Sequence, residues 1–222
     1  MSSVGLGLTA DEVLTTTRAV RKRLDFERTV DRALLEECVG IATQAPSPRN
    51  RQPWDFVIVT DPDLVRQVAD WWRRGLLDMP SIMGASATPR PTRMSFESDQ
   101  WQRIAESLDV LAQNLDRSPA LVVPCVRVGT RSELNTVFGQ SVVWGAVIPA
   151  FWSFMLAARE RGLGTCWTTS HLPYEREVAD LLGIPFETVV QTALSPVAHV
   201  IGTCFRPAAR AETSEFIHWD TW

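Results

Sequence analysis

The sequence predicts an α+β fold: one domain over residues 1–222 with helices on both faces of a small sheet. Three observations carry that expectation. Apolar residues recur at helical spacing in several segments, and short runs rich in β-branched residues stand between them, as at 54–60 and 120–126. The two patterns alternate, but not as the regular strand–helix–strand ladder of a parallel sheet. No repeat, low-complexity tract or linker divides the chain.

Residues 9–20 and 30–45 read as helices. The first opens on Thr9-Ala10-Asp11-Glu12, and the second has Asp31 near its start with Val30, Leu34, Cys38, Ile41 and Ala45 on one face. The prolines of Ala45-Pro46-Ser47-Pro48 break the second helix, and 54–60 follows as a buried strand. Asp61-Pro62-Asp63 starts a third helix carrying Leu64, Val68, Trp71 and Trp72. Residues 79–98 hold prolines, serines and methionines without periodicity, which predicts a long mobile excursion acting as a lid. A fourth helix spans 99–116 with Ile104, Leu108, Leu111 and Leu115 in register, before a strand at 120–126. A long fifth helix, about 142–161, stops at Gly162-Leu163-Gly164. After it come a short strand at 166–169, a short helix at 174–182 and a strand region at 189–202 interrupted by Pro196. The tail ends in Phe216, Ile217, Trp219 and Trp222, and apolar residues at a terminus imply that it docks on something.

Charge and composition exclude several classes. There are 26 acidic residues against 22 basic, a formal charge of −4, which gives no reason to expect a nucleic-acid partner. A single lysine, Lys22, sits in the densest basic cluster, beside Arg18, Arg21 and Arg23. Four cysteines lie far apart, with no C-x-x-C pair and no histidine at metal-ligand spacing, so buried thiols in a reducing compartment are expected and a metal site is not. Residues 1–8 are uncharged and run straight into a helix start, so no signal peptide is expected and the location reads as cytoplasmic. Residues 134–158 contain no charge and are long enough to cross a bilayer, yet Asn135, Gln140, Ser141, Pro149 and Ser153 within them favour a helix buried in a soluble core or a subunit interface, not a membrane span.

Templates for side-chain catalysis are missing: there is no G-x-G-x-x-G, no P-loop, no H-E-x-x-H and no G-x-S-x-G. That points to a bound cofactor. Two segments carry a physical signature. At the end of the first helix Arg18, Arg21 and Lys22 offer donors suited to a phosphate, although charge alone favours a solvated surface helix. In Ala45-Pro46-Ser47-Pro48-Arg49-Asn50-Arg51-Gln52-Pro53-Trp54, hydroxyl and amide groups stand on a proline-stiffened loop, where they match the edge of a planar heterocycle or equally cap their own turn.

Together, R-A-V-R-K and A-P-S-x-x-N-x-Q-P-W resemble the nitroreductase family of FMN-dependent oxidoreductases, and the likeness continues through Gly162-Leu163-Gly164-Thr165 and the tail from Phe205 to Trp222. The resemblance implies a three-layer α/β/α sandwich on a mixed, mostly antiparallel sheet. It also implies a homodimer in which the long helices meet, C-terminal tails at 205–222 embrace the partner, and both subunits build the FMN pockets. Arg18 and Lys22 would hold the FMN phosphate and ribityl chain, with Ala19 and Val20 in the same contact segment. Pro46, Ser47, Asn50 and Gln52 would line the ribityl chain and ring, and Arg206 or Arg210 would give a second phosphate contact. The chain departs from the family pattern at two places: Ala19 or Val20 stands where many members have a serine, and Ser170-His171-Leu172 stands where many have a Glu-Gly pair near flavin N5. His171 and Leu172 are therefore flavin-contact candidates, with a loop histidine that never meets the flavin as the other reading. The implied chemistry is ping-pong transfer of hydride from NADH or NADPH, through flavin N5, to a nitroaromatic, quinone or activated alkene, with no catalytic side chain. The alternative is an FMN-binding protein that sequesters flavin or uses its oxygen chemistry.

Overall fold

The computed structural model describes residues 5–83 and 98–222. Its helices begin where the sequence supplies a cap. Thr9 and Glu12 exchange hydrogen bonds with each other's backbone at the head of α1 (Ala10–Thr16), and Asp31 accepts from the Ala33 amide at 2.9 Å to start α2 (Arg32–Ala42). Asp61 takes the amides of Asp63 and Leu64 before α3 (Pro62–Met83), whose first residue is the proline that tolerates that position. α4 (Ser98–Asn114) follows, then α5 (Val137–Glu160), capped by Thr136, and α6 (Glu175–Leu182).

The strands are β1 (Leu24–Asp25), β2 (Trp54–Val59), β3 (Ala120–Arg127), β4 (Leu163–Thr165), β5 (Val189–Gln191) and β6 (Ser195–Val200). Their order is β1-β6-β3-β2, with β4 added on β6 and β5 on β3, and every ladder is antiparallel. The parallel component is an isolated bridge between Ala19 and Thr165. β3 shows how the layers form. Ala120 and Val122 point into a core shared with α2 and α5 (Leu35, Cys38, Phe151, Phe154), whereas Leu121, Val123 and Cys125 point into a core shared with α3, α4 and α6 (Val68, Trp72, Leu111, Leu115, Val178). Helices thus cover both faces of the sheet, as an α+β sandwich requires.

A proline in a central strand normally costs a ladder bond, and β3 places Pro124 where little is lost. β6 pairs with β3 at residues 120–122 and β5 at 125–127, so Pro124 falls in the seam between them, where its carbonyl accepts from the Thr192 amide at 2.9 Å.

Several expectations are corrected. α1 ends at Thr16, not at residue 20. The hydroxyls of Thr15, Thr16 and Thr17 each donate to a carbonyl four residues back, and such threonine runs favour a helix end. α2 is turned by about one residue, burying Leu35, Cys38 and Ala42 and leaving Ile41 outside. β2 is an edge strand, half-buried over most of its length. Of the 79–98 excursion, Met79 to Met83 complete α3 and Ser98 opens α4, while 84–97 lie outside the described residues. The short strand expected at 166–169 is instead β4, and the break in the last strand region falls at 192–194, since Pro196 pairs within β6 opposite Leu121.

α5 has the length and apolarity to cross a membrane, with a mean hydropathy of 1.7, but it lies against α2, β3 and β4 with Val147, Ala150, Phe151, Phe154 and Ala158 wholly buried. Its other side exposes Phe138, Ile148 and Trp152.

Candidate functional site

Because α1 stops early, the basic cluster runs as an extended segment, not as a helix end. The Val20 amide donates to the Thr165 carbonyl at 2.8 Å, pinning the segment to β4. Gly164 makes this possible: a Cβ there would come within 2.8 to 3.0 Å of Leu24, Val200 and Val20 side-chain carbons, so any larger residue would push the basic segment off the sheet. The R-A-V-R-K and G-L-G-T motifs are two halves of one packing contact.

Each cation of the segment has a partner. Arg18 Nη1 donates to the Arg206 carbonyl at 2.9 Å, and Arg21 Nη1 to Ser107 Oγ at 3.2 Å. Lys22 Nζ pairs with Glu106 Oε2 at 3.0 Å. Arg23 donates to the carbonyls of Ile201, Gly202 and Cys204, and its guanidinium lies 4.2 Å from the Phe205 ring centroid. Arg159, buried at the end of α5, approaches the same ring at 4.8 Å and donates to the Thr203 carbonyl at 3.2 Å. Burial holds its guanidinium below the usual arginine range. Residues 19–23, Ser107 and Phe205 enclose a cavity of about 180 Å³. Arg21 Nε is buried there without a partner, beside the Cys166 thiol, which burial pushes up and the guanidinium pulls down. The cavity is smaller than the several hundred Å³ of a whole cofactor pocket, so it suits an anionic group and not a ring system.

The second motif is a strained loop. Ser47 Oγ accepts from the Gln52 amide at 3.0 Å, and Gln52 Nε2 donates to Asn50 Oδ1 at 3.1 Å. Arg49, Asn50 and Gln52 all adopt left-handed backbone, with φ of 55°, 53° and 49°. Three such residues within four positions store on the order of 1 kcal/mol or more each, a cost that clusters at ligand sites. Pro46 lies just before them, exposed on a groove of about 470 Å³ bordered by Val13, Leu156 and Glu160.

The 168–174 turn is fixed from α3. Trp72 Nε1 donates to Thr168 Oγ1 at 2.8 Å, Tyr174 donates to Asp78, and Gly75 gives room for the Ser170 carbonyl, which a Cβ would overlap. Here His171 is fully buried with neither ring nitrogen hydrogen-bonded, and burial pushes it down to about 4 against the opposing influence of the Gln191 side chain. Leu172 is half-buried beside it. Arg206 meets Arg18 through its own carbonyl, and Arg210 is exposed and donates to the Ala209 carbonyl at 2.9 Å.

The structure therefore gathers Ala19, Val20 and Lys22 around one cavity, leaves Arg18 outside its lining with its Nη1 on the Arg206 carbonyl, and has Ser47, Asn50 and Gln52 bond among themselves. Sequence reasoning missed Glu106 and Ser107, which reach the basic segment from far along the chain and leave no local spacing signal.

An antiparallel sheet with helices on both faces, and a small cationic cavity where the basic segment meets β4, defines an α+β sandwich protein. The nitroreductase family model matches residues 14–199, and the chain belongs to that family. It is 37% identical over 62 residues to the oxygen-insensitive NADPH nitroreductase of Helicobacter pylori and 32% identical over 75 residues to that of Helicobacter acinonychis. These matches span 30% and 36% of the two relatives' lengths, and 27% and 33% of this chain. Solved structures align over nearly the whole chain. A BluB-like flavoprotein from Clostridium difficile 630 has TM-score 0.70 at 18% identity, covering 96% of this chain and 99% of that one. An oxidized iodotyrosine deiodinase bound to FMN and 3-iodo-L-tyrosine has TM-score 0.69 at 20% identity, covering 96% and 100%. The FMN and NADPH-dependent nitroreductase NfnB from Sphigopyxis sp. strain HMH has TM-score 0.68 at 22% identity, covering 97% and 100%.

Proposed function

We propose that this protein is an FMN-dependent oxidoreductase that takes reducing equivalents from NADH or NADPH and passes them to an electron-poor small molecule: a nitroaromatic, a quinone or an activated alkene. The observation that carries the reading is the cationic cavity formed where the Arg18–Arg23 segment is pinned to β4. Its size and the cations that line it, Arg21, Lys22 and Arg23, fit a phosphate. Bound FMN would supply hydride chemistry at N5, which no side chain can provide.

In this reading Arg18 and Lys22 hold the phosphate and the start of the ribityl chain, and the Ala19 and Val20 backbone lies alongside. Pro46, Ser47, Asn50 and Gln52 line the ribityl chain and ring, which gives a reason for strain in that loop. Arg206 or Arg210 adds a second cation to the phosphate. His171, sealed in the core, would act through the backbone it shares with Leu172 rather than through its ring. No side chain is assigned a catalytic role. The protein's part is to orient the ring, exclude water and bind the anion.

A homodimer belongs to the same proposal. Along α5, Phe138, Ser141, Gly145, Ile148 and Trp152 form an exposed seam at alternating spacings of three and four, the pattern of a helix that meets another helix. Gly145 has nothing within 4 Å of where a Cβ would stand, so its cost to the helix has no compensation inside one chain. The exposed edge of β2 and the uncovered Trp219 and Trp222 support a partner-embracing tail. A cytoplasmic location completes the reading, in keeping with four unpaired cysteines, of which three are buried.

The test is an anaerobic visible spectrum of the purified protein, before and after NADH or NADPH. A yellow protein bleached by either nucleotide, then recoloured by one of the acceptors, is the expected result. Protein that stays colourless after incubation with FMN overturns the proposal, and a yellow protein that neither nucleotide bleaches points instead to flavin sequestration or oxygen chemistry.

A further inference from the structure

Two neighbouring residues on one turn of α4 hold two neighbouring cations of the basic segment: Ser107 takes Arg21, and Glu106 takes Lys22. Over the described side chains of its N-terminal half, from residue 102, this helix is exposed to solvent. Residues 102–106 are exposed, Ile104 included, and the wholly buried Leu111 belongs to the second half. Glu106 is therefore a carboxylate on an exposed stretch of α4, paired with the one lysine of the chain, which itself lines the cavity. Lys22 in turn holds the Glu106 carboxyl below the usual carboxylate range.

A carboxylate and a phosphate are alternative anions for one ammonium. Lys22 has three donors, but a dianionic phosphate brought beside Glu106 meets a like charge within a few ångströms, and at this half-exposed pair the repulsion is modest and reduced by salt. Arg18 differs, because its partner is a neutral carbonyl that does not repel an incoming anion.

We propose that Glu106 is an affinity-setting residue: an internal anion that occupies Lys22 and must be displaced, with its turn of α4, before the cofactor phosphate can engage. This rests on the assignment of Lys22 to the FMN phosphate. The contact makes docking of α4 and binding of the cofactor antagonistic, so removing the carboxylate tightens binding, whereas loss of a merely structural ion pair would loosen it.

The experiment is a titration of flavin-free protein with FMN, followed by fluorescence quenching, for wild type, Glu106→Gln, Lys22→Gln and the double variant. Glu106→Gln is isosteric and on an exposed helix face, and is expected to bind FMN about threefold tighter than wild type, near the upper range for an exposed ion pair. In the Lys22→Gln background the same change is expected to have no effect. Unchanged or weaker binding by Glu106→Gln, or equal tightening in both backgrounds, overturns the inference while leaving FMN binding itself intact. Failure of the wild-type protein to bind FMN at all overturns the functional reading and this inference together.

Discussion

At the scale of single residues, the site depends on which partners its charged groups already have. Arg18 gives its Nη1 to the Arg206 carbonyl; on the proposed assignment its remaining donors hold the phosphate, so Arg18→Ala is expected to weaken FMN binding roughly tenfold, the worth of one charge-assisted hydrogen bond. Fluorescence titration reads this directly, and unchanged affinity would remove Arg18 from the site. His171 gives a prediction on stability. Its folded value lies near 4, against 6.5 when free, so above pH 6.5 both states are neutral and the residue adds no pH dependence. Between those values only the unfolded chain takes up the proton, and stability falls as pH is lowered, by about 3 kcal/mol in all. Urea unfolding at pH 7, 5.5 and 4 should show that slope, and His171→Leu should flatten it; an equally acid-sensitive variant would assign the loss to other groups.

At the scale of elements, close approach matters more than propensity. Gly75 lets α3 lie on the Ser170 carbonyl, and Gly75→Ala, though it favours a helix locally, should destabilise the protein by roughly 3 kcal/mol or more because backbone must move. Thermal unfolding checks this, and a raised melting temperature would contradict the packing described. Much of this level was legible in the sequence. Thr9-Ala10-Asp11-Glu12 announced the first helix, Asp31 and Asp61 the next two, and Gly162 the end of α5. What was not legible came from local hydroxyl competition in α1 and from long-range strand pairing. Three threonine hydroxyls ended α1 sooner than its periodicity implied, and β1, two residues long, exists only because β6 offers it an edge. Pro196 looked like an interruption but sits in β6, and the true break is set by where β3 changes partners. Arg18, Ala19, Val20 and Lys22 could be found by motif, whereas Glu106 acquires meaning only once α4 is folded onto them.

At the scale of the whole molecule, the exposed seam of α5 and the uncovered tail make self-association the main open question of assembly. Ile148→Asp is expected to leave the protomer folded and shift sedimentation toward monomer, since Ile148 is 42% exposed in the single chain and a charge there costs nothing until a second helix covers it. A variant that sediments like wild type would place the interface elsewhere. The connectivity of the sheet has a further consequence, for the order of folding. β6 pairs with β1, β3 and β4, tying Leu24 to Val200 and Ala120 to Val197. In a nascent chain β2, β3 and β5 can pair with one another, but β1 and β4 have no strand partner until β6 has emerged, so the sheet stays incomplete until residue 200 has been made. Folding is slow by virtue of these distant pairings, and a chain cut short before β6 is left with strands that have no partner and is open to aggregation.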